Sequence, residues 1–143
     1  MSDTVKVKPD ELEDALNKMI DDYVDNVNKS VHDKVKEVSK EVLQNLKENV
    51  EAAGIKGDKY KNSFRAKATK ETAWDIKIVI YSPTHYSLTH LLEHGHTIWV
   101  HGSDRNAKGK VYGSTKARPH WKPAESFAII RLTEKIKSTV EDK

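Results

Sequence analysis

The chain has 143 residues, 36% of them hydrophobic and 33% charged, the length of one domain able to bury a core without staples. It contains no cysteine, which excludes a disulfide framework and a cysteine-ligated zinc site. No apolar run approaches the roughly 18 residues of a membrane span, and the acidic, polar start does not read as a signal peptide. A cytosolic product without membrane contact is therefore expected. The net charge of +3 is unevenly spread: residues 1–53 carry eight lysines and thirteen acids, whereas residues 54–143 carry seventeen basic residues and nine acids. Such a split fits an acidic partner, nucleic acid, a second copy met by opposite faces, or simply two differently solvated faces.

Residues 1–9 read as a flexible polar leader. Asp10 then offers an N-cap acid with Glu13 three residues on and Pro9 alongside, a helix start signal. Leu12, Leu16, Ile20, Val24, Val27, Val31, Val35, Val38, Val42, Leu46 and Val50 follow at spacings of three and four. They predict one amphipathic helix over 10–53, stopped by Gly54 and Gly57. Its stripe averages slightly more than 3.6 residues, so it is not a strict heptad. Valine is a mediocre helix former, so packing must hold it. At 1.5 Å per residue it would span roughly 60 Å, longer than such a domain is wide. It must bend, break near residues 26–30, or pack on a neighbour, and the neighbour is the expected solution.

Residues 60–68 alternate weakly, with Phe64, Ala66 and Ala68 on one side. Residues 74–81 are the clearest strand, with Trp74, Ile76, Ile78 and Ile80 on one face. A turn at 70–72 would make the two a hairpin, ended by Pro83. Residues 86–94 read as a short helix stopped by Gly95. Residues 97–101 and 110–113 read as strands joined by a long loop over 102–109, which looks disordered when free. Pro123 opens a last helix whose buried side is marked by Ile129, Leu132, Ile136 and Val140. The predicted fold is α+β, a single domain with a long helix (10–53) followed by a small antiparallel sheet and helices (60–143).

Two chemical readings compete with a bland one. His90, Glu93 and His94 match H-x-x-E-H, in which two histidines on one helical face bind zinc and the glutamate serves as general base. The helix is short, however, and a third ligand would have to come from an unmarked acid such as Glu125 or Glu134. No G-x-S-x-G turn or phosphate-cradling glycine loop is present. Nucleic-acid binding is the stronger rival. Arg105, Lys108, Lys110, Lys116, Arg118 and Lys122 occur without an intervening acid, interleaved with Tyr112 and Trp121, a pattern able to grip phosphate and stack bases. No helix-turn-helix, zinc-finger or RNP pattern accompanies it.

Residues 91–95 (LLEHG) followed by 117–124 (ARPHWKPA) carry a resemblance. They resemble the small head–tail joining or tail-completion proteins of long-tailed bacteriophages, the family typified by gene product ten of a lambdoid phage. Members show a leucine-glutamate-x-glycine turn, a hairpin, then Ala-Arg-Pro-aromatic-x-x-Pro-Ala opening the last helix. Glu93 and Gly95 match the first part; Ala117, Arg118, Pro119, Pro123 and Ala124 match the second, with His120 where an aromatic is usual. His94 and His96 beside Gly95, and the long 102–109 loop, depart from the pattern.

The resemblance implies a non-enzymatic virion component, without cofactor or metal, acting at the neck between head connector and tail tube. It also implies a ring, hexameric in the particle, that touches connector and tail-tube or tail-terminator proteins and encloses DNA. Assembly would take place in the host cytoplasm. Arg105, Lys108, Lys110, Tyr112 and Lys116 would form a partner-contacting loop. Pro119 and Pro123 make a stiff corner, from which Arg118 is expected to pair with Glu93, within or between subunits, and pin the hairpin to the last helix. The acidic long helix of one copy would face the basic half of the next.

Overall fold

A computed structural model describes residue 6 and residues 8–100 and 110–142. Most of the expected leader and the whole 102–109 loop lie outside the described residues. A single turn, Pro9–Glu11, leads into α1, Leu12–Ala52. A short helix α2 (Asp58–Lys61) precedes the β1–β2 hairpin (Arg65–Glu71, Ile76–Tyr81). Helix α3 (Tyr86–His94), the β3–β4 hairpin (Thr97–Val100, Lys110–Ser114) and α4 (Trp121–Glu141) complete the chain. Among the described residues the strands form two separate two-stranded antiparallel sheets, so the α+β class holds with a divided sheet.

The long helix is continuous through residues 26–30. The expected capping box does not form, because the helix proper starts at Leu12 with no side chain capping it. Its other end closes as a Schellman motif. Gly54, at φ +70°, donates to Glu51 O at 3.0 Å, and Ile55 donates to Val50 O at 3.2 Å. Ile55 then packs on the cluster that contains Val50, the apolar contact such a motif favours.

Helix α4 runs antiparallel to α1, as three pairings show. Asn49 Nδ2 donates to His120 O at 3.2 Å, Arg131 grips Glu41 with Nε at 2.7 Å and Nη2 at 3.3 Å, and Lys135 Nζ lies 2.8 Å from Glu37. These matches place α4 over the second half of α1 alone. Val38, Val42, Leu46 and Val50 are buried there, whereas Leu12, Leu16, Met19, Ile20 and Tyr23 are exposed. One stripe thus feeds the core at one end and stands in solvent at the other. The core itself is small: Leu46, Val50, Tyr60, Phe64 and Ala124, flanked by Leu43, Ile55, Ile80, Leu92 and Trp121.

Three expectations need correction. Tyr60 sits in α2, buried in the core, and the strand that follows is exposed along its whole length. A weak alternation of alanines supplied too little apolar area to be buried. Trp74 belongs to the hairpin turn and is 73% exposed; Thr72 and Asp75 exchange backbone hydrogen bonds at 2.8 and 3.4 Å around it. Neither turn residue has positive φ, so the primed hairpin geometries are absent, and a register shift between Ala68 and Lys70 takes up the mismatch. On α4 the buried residues are Ala124 and Thr139, while Ile129 and Val140 are exposed. The helix buries these two small residues and leaves some of its largest apolar residues outside.

Candidate functional site

Three helix ends converge at one corner: the C-termini of α1 and α3 and the N-terminus of α4. Each leaves unpaired backbone groups that need partners. Glu93, in the last turn of α3, supplies them for α4. Its Oε2 accepts from the backbone N–H of His120 at 2.8 Å and of Trp121 at 3.0 Å, and its Oε1 from Lys122 at 3.0 Å. Burial alone would raise the carboxyl's pKa, but these three donors outweigh it and hold the group below its ordinary value. A negative charge at a helix N-terminus is also favoured by the macrodipole.

Arg118 does the opposite service for α1. Its Nη1 donates to Gly54 O at 2.7 Å and Ala53 O at 3.4 Å, placing a cation at a helix C-terminus. Its own backbone N–H donates to Leu92 O at 2.7 Å, tying the segment to α3. Within the chain, the expected Glu93–Arg118 pair therefore does not form. Each side chain is committed to a helix terminus instead: Glu93 ties α3 to the start of α4, and Arg118 ties the segment before α4 to the end of α1.

Beneath the corner lies His120, fully buried. Its Nδ1 faces two acceptors, Arg118 O at 2.8 Å and Glu93 Oε2 at 3.2 Å, which assigns the proton to that nitrogen. Nε2 meets the Tyr60 hydroxyl at 2.6 Å, and that hydroxyl lies 3.1 Å from Thr89 Oγ1. Burial pushes the Tyr60 phenol up from its usual pKa. Tyr60 packs edge-on to Phe64 and His120, and Phe64 edge-on to Trp121. Sequence reasoning missed Asn49, Tyr60, Thr89 and the central place of His120. The signal was present for one of them, since His120 occupies a position usually aromatic between two prolines.

Gly95 closes the site. It adopts φ +73°, and a Cβ there would lie 2.5 Å from Thr115 O and 3.0 Å from Ala117 N, so both conformation and space demand glycine. This close approach brings β3–β4 against the corner, where His96 and Thr115 exchange hydrogen bonds. Ala124 is buried; Lys116, Ala117, Arg118, Pro119 and Pro123 are exposed. Lys110 and Tyr112 lie on β4, whereas Arg105 and Lys108 fall outside the described residues.

The arrangement holds segments together, and its two central charged side chains, Glu93 and Arg118, are engaged by backbone groups. Both Glu93 oxygens are occupied by α4 backbone donors, so the H-x-x-E-H reading loses its base. The His90 and His94 rings do lie side by side, 4.8 Å between centroids and tilted at 58°. Among the described residues, however, no group of three or more metal-ligating side chains comes together. No described helix is long and apolar enough to cross a membrane.

Residues 10–95 match a family model described as "Bacteriophage HK97-gp10, putative tail-component". The match spans the long helix, the first hairpin and α3 as far as Gly95, so the 117–124 corner lies beyond it. Searches of curated proteins and of solved structures return no match.

Proposed function

The chain belongs to the HK97-gp10-like family of phage tail components, a virion structural protein that meets other phage structural proteins, and from that premise we propose that it joins head to tail. In this reading it is a tail-completion protein of the type represented by gene product ten of a lambdoid phage. It forms a ring, sixfold in the particle, between the head connector and the tail tube or tail terminator, and DNA passes through the ring.

The observation that carries the reading is the family match over residues 10–95, which takes in the Glu93–Gly95 half of the motif. The corner supports it. A ring component must hold a fixed surface between two partners, and here two helix termini, a glycine-only contact and a buried histidine fix α3, residues 115–120 and the ends of α1 and α4 to one another. The exposed apolar arm of α1 supplies a second surface for assembly.

The test is to delete the gene from its phage and image the lysate by electron microscopy. Filled heads and finished tails lying unjoined, restored to whole particles by the protein supplied in trans, are the expected outcome. Joined particles in normal yield would overturn the neck assignment. Tails of abnormal length would move the protein into the tail shaft.

A further inference from the structure

An apolar groove of about 370 Å³ runs between the second half of α1, strand β2 and helix α4. Val35, Val38 and Val42 form its floor, with Ile78 on one wall and Ile129 and Leu132 on the other. Nothing from the described chain fills it, and Ile129 stands 61% exposed at its edge. Some distance away, the first half of α1 presents the complementary feature. Leu12, Leu16, Met19, Ile20 and Tyr23 recur at helical spacing on one face, and all are close to half exposed or more.

We propose that the arm of one copy, the first half of α1, docks by this apolar face into the α1–β2–α4 groove of a second copy. The inference deepens the proposed ring and rests on its premise that copies of the chain meet. Three observations select a second copy as the occupant. The arm cannot reach the groove of its own chain, because it is the continuation of the helix that forms the groove floor, unbroken from Leu12 to Ala52. The charges are complementary: residues 1–30 hold four lysines and eight acids, and the remaining residues hold twenty-one basic residues and fourteen acids. Lys77 lies on the groove's lining, among the groups an acidic helix would meet. The area is also in excess. The chain exposes 11147 Å², against roughly 7,500 Å² for a compact monomer of its mass.

Such a contact joins two different surfaces, arm to groove, so every copy keeps one arm to offer and one groove to fill. Contacts of this kind close into rings when the rotation permits. An arm-to-arm pairing would instead be symmetric and stop at two copies.

The absence of cysteine makes a cross-linking test clean. Two full-length variants, Ile20→Cys on the arm and Ile129→Cys on the groove, are made with tags of different length, mixed, and treated with a short bismaleimide. Both positions are exposed, so neither substitution disturbs the core. The expected result is a mixed dimer in preference to either homodimer, suppressed when Leu16→Asp is added to the arm variant. A dominant Ile20→Cys homodimer would replace the proposal with arm-to-arm pairing. The absence of any mixed product over the full range of protein concentration would overturn it. The neck assignment is read from virions and this contact from cross-links, so each can fail while the other stands.

Discussion

Glu93 binds three backbone donors with two oxygens, and that geometry makes its charge matter more than its size. In Glu93→Gln one oxygen is exchanged for an NH2 group that turns donors toward donors. The expected loss is about 2 kcal/mol of unfolding free energy, in the range for hydrogen bonds to a charged group. The sign of the pH dependence follows from the direction of the shift. The carboxyl is held below its ordinary 4.5 in the folded chain, so its contribution is complete above that value. It is lost as pH falls through the folded pKa. Urea titrations of the two proteins should therefore differ by a constant amount near neutral pH and converge on acidification below 4.5. Other carboxylates titrate there too: hydrogen bonds from Lys135 and Lys34 hold Glu37 at about 2. The difference between the two proteins isolates Glu93. A gap that stays constant into strong acid would show that the carboxylate's charge has no part in the cap.

At the scale of elements, α1 is two structures in one helix. Leu46 is fully buried and Ile20 is 58% exposed, although both occupy the same sequence stripe. Leu46→Ala should cost about 3 kcal/mol through lost transfer and a cavity, while Ile20→Ala should stay within about 0.5 kcal/mol. Unfolding by urea of the isolated chain measures both, and equal losses would mean that the arm is already packed in the monomer. The stripe itself was legible, because hydrophobic period reports helix and face wherever the partner happens to be. What covers the stripe was not legible, since period says nothing about which turns meet α4. The same limit explains the other misreadings. Trp74 continues the alternation of Ile76, Ile78 and Ile80, but the Thr72–Asp75 turn claims it. Ile129 and Val140 continue the apolar spacing of α4, but burial on that helix falls on Ala124 and Thr139. Glu93 and Arg118 looked like partners because opposite charges at a rigid corner attract. Only the convergence of three helix ends reveals that each has a stronger claim on it from backbone groups. Gly95 was visible as a stop, and its contact with Thr115 required the fold.

At the scale of the whole molecule, the acidic arm and the basic body act through a field as well as through contact. Opposite net charges raise the rate of encounter and add to the stability of any arm-to-groove complex, and salt screens both effects. Raising sodium chloride from about 0.1 M to about 1 M shortens the Debye length from about 10 Å to about 3 Å. The apolar contribution is left largely intact by that change. Self-association followed by sedimentation equilibrium should therefore weaken with salt without vanishing, whereas Leu16→Asp should weaken it at every salt concentration. The two responses separate the terms. A complex indifferent to salt would assign assembly to apolar burial alone and make the uneven charge a matter of solubility. A complex abolished by salt and unaffected by Leu16→Asp would make the charge the whole interaction and leave the exposed stripe of α1 for a different phage structural protein.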